Sequence, residues 1–325
     1  MKKSDCAVFI LSSRKFLLIK CLNEFWKNFN KDYDFPVYIY YFTGVYDKEY
    51  TNFVKKENNN RIKFIEIFPK IPSHLNTKDL FYNRKYNPYV RKHFNSDKRL
   101  GYLYMNRFTS NLTSYDEYGC ITSDLKKYDY LMRIDDDSWF KKKINFNLFD
   151  SVKSHPIATG YTWNYINSNI LHTRENLWNF YIDYIKKNNI KPKNEILLKA
   201  VNENDENQMH KLLWTAGNCN LYNIKMINNS DWKKFIKAVN ENGGQFKYRW
   251  TDLEVIGLYA YTYFDNPIYD LKIKENGFYE NKFNNFIYYY LSATAPAGKK
   301  KLNLNFIIFK LYKFFYPLTK YFKKA

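Results

Sequence analysis

Three consecutive carboxylates, Asp135, Asp136 and Asp137, follow directly on the run Tyr130-Leu-Met-Arg-Ile134. The run is apolar enough for a buried strand, so the charge stands at a strand's end. Alternate carboxylates, here Asp135 and Asp137, can reach one divalent cation, and hard oxygen ligands suit Mn2+ or Mg2+ that also holds a diphosphate. That is the metal logic of sugar transfer from nucleotide donors. A solvated acidic turn closing a strand would use the same residues, so the surrounding sequence must decide.

The elements needed to present such a cluster are legible. Cys6–Leu11 reads as a strand followed by the polar turn Ser12-Ser13-Arg14, and Leu18, Leu22, Phe25 and Phe29 recur at helical spacing between Lys15 and Phe29. Pro36–Phe42 and Arg61–Phe68 read as further strands. Strand, helix, strand alternation predicts an α/β sheet with parallel neighbours, which places ligands at the carboxyl ends of its strands. Lys70–Lys98 reads as loop with short helical pieces, and Gly101–Tyr118 as a helix packed near the acidic strand. Beyond the carboxylates come a strand at Pro156–Trp163, a helix from Thr173, its cap, to Ile185, and a strand at Asn218–Ile224. A helix over Asp231–Asn240 is capped by Ser230 or Asp231 and stopped by Gly243-Gly244, and Thr251 or Asp252 caps the next, towards Tyr263. The polar, Asn- and Glu-rich stretch 191–210 reads as a surface insertion.

With 325 residues the chain can bury a substantial core, and 32 Tyr and 27 Phe make much of that core aromatic. The formal net charge of +20 invites nucleic acid or an anionic membrane as partner. No zinc-finger spacing, RNA-recognition signature or Arg-rich arm accompanies it, which argues against nucleic acid. Anionic substrates such as nucleotide diphosphates account for the sign as well as a lipid surface does. Residues 302–325 alternate lysines with Phe306, Ile307, Leu311, Phe314 and Phe322, a pattern suited to peripheral membrane contact or to docking on the protein itself, and too charged to span. Cys6, Cys21, Cys120 and Cys219 match no metal spacing and read as reduced structural thiols. The short apolar run after Met1 predicts neither a signal peptide nor a span, so a cytoplasmic setting is expected.

Four separated stretches resemble the fungal α-1,2-mannosyltransferases of glycosyltransferase family 15. Tyr128-Asp-Tyr130 leading through Arg133-Ile134 to Asp135–Asp137 is similar to the family's Tyr-Asp-Tyr strand and Glu-Pro-Asp. Met105-Asn-Arg-Phe-Thr-Ser110 is similar to its Met-Cys-Arg-Phe-x-Ser, and Gly160-Tyr-Thr162 with the Thr173–Trp178 helix start to its Gly-Phe-Thr strand and following helix. Gly243-Gly-Gln-Phe-Lys-Tyr-Arg-Trp-Thr-Asp252 is similar to its Gly-Gly-Phe-x-Tyr-Glu-Arg-Trp-Gly-Asp block.

The resemblance covers about residues 5–285 and implies a GT-A-like, Rossmann-like mixed and mostly parallel sheet flanked by helices. It implies a transferase domain over 1–290 with a basic amphipathic segment at 291–325. The implied reaction moves a hexose, mannose from GDP-mannose as the first guess, to a glycan or glycosylated acceptor, with Mn2+ or Mg2+ as cofactor. Asp135, Asp137 and Glu280, which stands where the family has a metal-binding His, would hold the metal. Arg107 would meet a phosphate through its planar fork or pair with an acidic residue. Ser110, Asp136 and Asn167, the last near a family acidic position, join the expected nucleotide and substrate contacts. Asp252 would bind the acceptor or act as its base, or simply cap its helix. Asn220 replaces the family's candidate nucleophile Glu, and an amide favours a front-face route to retention over double displacement. The composition also suggests an A+T-rich genome, such as that of a large DNA virus or a microbe.

Overall fold

The structure is a computed structural model that describes residues 5–58, 61–68, 70–81, 96–111, 123–164, 175–277 and 279–281. Asn167, Thr173, Cys120 and the 302–325 segment lie outside the described residues.

Among the described residues the strands are β1 (Cys6–Leu11), β2 (Val37–Phe42), β3 (Ile62–Ile67), β4 (Tyr130–Ile134), β5 (Ser138–Phe140), β6 (Ile157–Thr159), β7 (Thr162–Asn164), β8 (Leu213–Thr215), β9 (Cys219–Asn223), β10 (Ile268–Asp270) and β11 (Tyr279–Asn281). Seven of them form one sheet in the order β10-β6-β9-β4-β1-β2-β3. Pairing is parallel except where β9 runs antiparallel between β4 and β6. The mixed, mostly parallel sheet expected from the sequence is present.

Successive residues of a strand face opposite ways, and both faces of this sheet are covered. Ala7, Phe9, Tyr38, Tyr40, Leu131 and Tyr222 pack on one side against the Leu177–Lys187, Ser230–Asn242 and Asp252–Tyr263 helices. Val8, Ile10, Val37, Ile39, Met132 and Leu221 pack on the other against the Lys15–Phe25 and Lys48–Glu57 helices. Two-sided burial explains why these strands read as continuous apolar runs. Each such side chain contributes about 1.5–3 kcal/mol on burial, so apolar packing rather than the charge cluster carries the fold.

Several expectations are revised. The strand expected over Pro156–Trp163 divides into β6 and β7 at Gly160, where a Cβ would approach Ile273 and Cys219 within 3.2 and 3.3 Å. The stretch 191–210 is not simply a surface insertion. It contains the Glu195–Glu203 helix, whose Leu197 and Ala200 are fully buried in the core while its polar residues face out. Asn229, not Ser230 or Asp231, caps the Ser230–Asn242 helix, and Gly243 ends it at φ 71°. Cys6, Cys21 and Cys219 are buried. No described helix is long and apolar enough to cross a membrane.

Candidate active site

The acidic triplet leaves the carboxyl end of β4 beside the carboxyl end of β1, because the two strands pair in parallel with Phe9 opposite Arg133. That adjacency brings the Ser12-Ser13-Arg14 turn onto Asp136. Asp136 Oδ2 accepts from the Ser12 hydroxyl at 2.8 Å and from the Ser13 and Arg14 backbone N–H groups at 3.0 and 3.1 Å. Its Oδ1 accepts from Arg14 Nε at 2.7 Å and from the Arg14 terminal nitrogen Nη2. A carboxylate offers about four lone-pair directions, so Asp136 is saturated. Asp136, expected among the substrate contacts, pins the turn after β1 to the turn after β4.

Asp137 is 2 % exposed, and Arg14 Nη1 donates to its Oδ2 at 2.6 Å. Burial pushes its carboxyl up to about 6, with Asp135 and Asp136 adding to the rise and Arg14 opposing it. Asp135 is more exposed. Its Oδ1 accepts from Arg133 Nε and Nη2 at 3.1 and 3.0 Å, and its Oδ2 has no protein partner among the described residues.

The other end of the Arg133 fork reaches Asp252, Nη1 donating to Oδ2 at 2.5 Å. Arg133 and Asp252, 119 positions apart in the chain, are thus joined through one buried guanidinium. Asp252 is free for this because Thr251 caps the Asp252–Tyr263 helix, in a capping box with Glu254. Burial lifts the Asp252 carboxyl to about 6; Arg133 works against that shift and Asp135 with it. A carboxylate with that affinity for a proton is suited to general-base work near neutral pH.

The remaining expected residues divide. β11 pairs with β5 so that Glu280 stands opposite Trp139, two positions beyond Asp137. Asn220 lies on β9 directly opposite Arg133, and also opposite Thr159 of β6. It is fully buried; its carbonyl oxygen accepts from the Thr159 hydroxyl at 2.7 Å and its amide donates to the Tyr222 hydroxyl at 3.3 Å. Asn220 thus ties β9 to Thr159 of β6 directly across the ladder from Arg133. Arg107 and Ser110 are on the helix expected near the acidic strand, now Ser96–Asn111, where both meet residues of the Gly244–Lys247 helix. The Arg107 guanidinium lies 5.7 Å over the Phe246 ring, and the Ser110 hydroxyl accepts from Gln245 Nε2 at 2.6 Å. None of the three triplet carboxylates pairs with Arg107.

Among the described residues no three His, Cys, Asp or Glu side chains gather as a metal-ligand set. Two carboxylates are nonetheless of the right kind. Asp135 keeps an oxygen without a protein partner among the described residues, and the donors on both groups are hard oxygens. Asp135 and Asp137 therefore fit a divalent cation whose coordination is completed by ligand oxygens.

A family model described as glycolipid 2-alpha-mannosyltransferase matches residues 1–286. The chain belongs to that family. Among curated proteins it is similar to the probable mannosyltransferase KTR4 of Saccharomyces cerevisiae, 21 % identical over 300 residues. That match covers 89 % of this chain and 61 % of the yeast protein, so the chain spans about three fifths of its relative's length. Among solved structures it is similar to the mannosyltransferase Ktr4p of S. cerevisiae in complex with GDP, with TM-score 0.64 at 17 % identity over 81 % of this chain and 68 % of that one. It is also similar to core-mannan synthase A (CmsA/Ktr4) of Aspergillus fumigatus in its Mn/GDP form, with TM-score 0.65 at 14 % identity over 82 % and 72 % of the two chains. These likenesses establish the GT-A fold.

Within this glycolipid 2-alpha-mannosyltransferase framework, sequence reasoning missed Arg14 and the bridging part played by Arg133. Arg133 was read only as a motif position. Arg14 had one signal, a cation at the carboxyl end of a strand, where open α/β sheets keep their ligands. Its meaning required knowing that β1 and β4 are neighbours.

Proposed function

We propose that this chain transfers a hexose, with mannose from GDP-mannose as the leading candidate, to a hydroxyl of a glycan or glycosylated acceptor with retention of configuration. The observation that carries the reading is the Asp135–Arg133–Asp252 bridge, which makes one centre of the acidic triplet and the distant Asp252. Family membership and the GDP and Mn/GDP complexes of the two fungal neighbours support the donor class.

In this reading Asp135 and Asp137 hold Mn2+ or Mg2+. A divalent ion, when bound, neutralises the leaving diphosphate by Lewis-acid charge stabilisation. Asp252 accepts a hydrogen bond from the acceptor hydroxyl and takes its proton, while Arg133 keeps Asp135 and Asp252 in register. Asn220 holds Thr159 and Tyr222 under Arg133 and offers no carboxylate for a glycosyl-enzyme. Attack on the same face that the diphosphate leaves therefore suits the residues present better than double displacement.

A thermal-shift series with GDP-, UDP- and TDP-sugars, with and without Mn2+, tests the donor and the cation together, since a ligand of the folded state raises Tm by mass action. The expected result is stabilisation by GDP-mannose that grows with Mn2+ and loses its Mn2+-dependent part in Asp137→Ala. An unchanged shift in that variant would remove the metal assignment, and a response to no nucleotide sugar would remove the transferase reading.

A further inference from the structure

The Ser96–Asn111 helix carries polar groups that the acidic centre does not use. Asn106 is fully buried, and among the described residues neither its amide nitrogen nor its carbonyl oxygen has a hydrogen-bond partner. The Thr109 hydroxyl, in a side chain 1 % exposed, has none either. Each buried polar group left unpaired costs about 1–3 kcal/mol, a cost that apolar residues at these positions would avoid. Neighbouring polar groups on the same helix are satisfied: Gln245 donates to the Asn106 backbone oxygen at 3.2 Å as well as to the Ser110 hydroxyl.

The direction of the unpaired groups follows from helical spacing, which puts Tyr102, Met105, Asn106 and Thr109 on one face. Met105 Sδ is 4.0 Å from Arg133 Nη2, so this face borders the Asp135–Arg133–Asp252 centre. At Tyr102 the Arg249 guanidinium lies 4.5 Å over the ring. Arg249 itself is held at φ 60°, between Tyr248 stacked on Trp250 and a fully buried Trp250 whose Nε1 donates to the Glu175 carbonyl at 2.8 Å. A non-glycine residue in that left-handed region is strained, and such strain clusters at ligand-binding sites.

We propose that Asn106, with Thr109 beside it, is a specificity-determining pair that reads a hydroxyl of a hexose in the cleft, the half-buried Met105 and Tyr102 parting to admit it. The proposal rests on the transferase reading above. A carboxamide offers both a donor and an acceptor, the pattern that sugar hydroxyls match. A site built to bond a hydroxyl also rejects an analogue that lacks it, because the protein's own groups are then left unpaired. The hydroxyl belongs either to the donor sugar or to the acceptor.

The test uses Asn106→Cys, which puts a smaller and less polar side chain there, and Thr109→Val, which removes only the hydroxyl. Binding of GDP and of GDP-mannose is measured by calorimetry with Mn2+ present, and KM is measured for a mannoside acceptor. The expected Asn106→Cys protein has a Tm at or above the parent's and an unchanged GDP affinity. It loses about tenfold or more in GDP-mannose affinity if the hydroxyl is the donor's, or in acceptor KM if it is the acceptor's. Parent-like values in both arms, or a Tm and GDP affinity that fall together, would overturn the pair's role. Should Asn106→Cys fail to fold, the same measurements on Thr109→Val decide. A parent protein that binds neither GDP nor GDP-mannose would instead overturn the transferase reading, so the two failures are distinct.

Discussion

At the Arg14 pole of the site every acceptor of Asp136 is filled, whereas at the Arg133 pole one guanidinium is divided between Asp135 and Asp252 and an Asp135 oxygen is left without a protein partner. Both poles are buried arginine–carboxylate clusters at the carboxyl edge of the same sheet. The difference lies in spare capacity. A saturated carboxylate holds two turns together and has nothing to offer a ligand. Asp252, pushed up by burial, can still accept a proton, and Asp135 keeps an oxygen open to a cation.

The largest effect that would sharpen this contrast is on stability. Asp136→Ala leaves Arg14 without its main partner and strips acceptors from the turn after β1, so a loss of about 3–5 kcal/mol is expected in urea unfolding. Asp135→Ala, at a partly exposed carboxylate, should cost about 1 kcal/mol or less. Equal losses at the two positions would erase the distinction between them.

A second expectation concerns pH. In the folded state Asp252 keeps its proton up to about 6, whereas its ordinary value is 3.8. Between those values the folded chain binds more protons than the unfolded chain, so its contribution to stability is full below about pH 4 and is lost as pH rises through 6. Cation-free Asp252→Asn should therefore unfold with a flatter dependence across pH 4–6 than the parent. A dependence unchanged by the substitution would mean that Arg133 holds Asp252 ionised throughout, and the two poles would then be alike.

The smallest effect expected is on cation binding. Arg14 sits on Asp137 and competes with any cation for it. Arg14→Met should tighten Mn2+, followed by paramagnetic resonance titration, by about tenfold, equivalent to about 1.4 kcal/mol. Unchanged or weaker Mn2+ binding would assign Arg14 to holding the metal site together instead.

Much of the sheet was legible because its strands are buried on both faces. Cys6–Leu11 was bounded correctly from its apolar run, and β2, β3 and β9 to within a residue or two at each end. The break at Gly160 was not, since it depends on Ile273 and Cys219 arriving from elsewhere in the chain. The Glu195–Glu203 helix was hidden because the Lys, Asn and Glu residues around it outweighed its own Ile196, Leu197, Leu198, Ala200 and Val201. On the Ser96–Asn111 helix the right element was found, but Arg107 and Ser110 drew attention away from the face that borders Arg133. Charge and hydroxyls are conspicuous in a sequence, while the direction a helix turns them is not.

Local order along the chain was enough to place an acidic triplet at the end of a buried strand, because apolar periodicity and strand-end charge are properties of short stretches, whereas Asp252 was singled out for the site only by the family resemblance. Which carboxylate is saturated and which keeps an open acceptor was decided only in three dimensions. Parallel pairing of β1 with β4 gave Arg14 to Asp136, and packing of the Asp252–Tyr263 helix gave Asp252 to Arg133. Hydrogen-bond saturation and burial depend on every neighbour at once, so the same Asp-Asp-Asp could have been divided differently on another sheet.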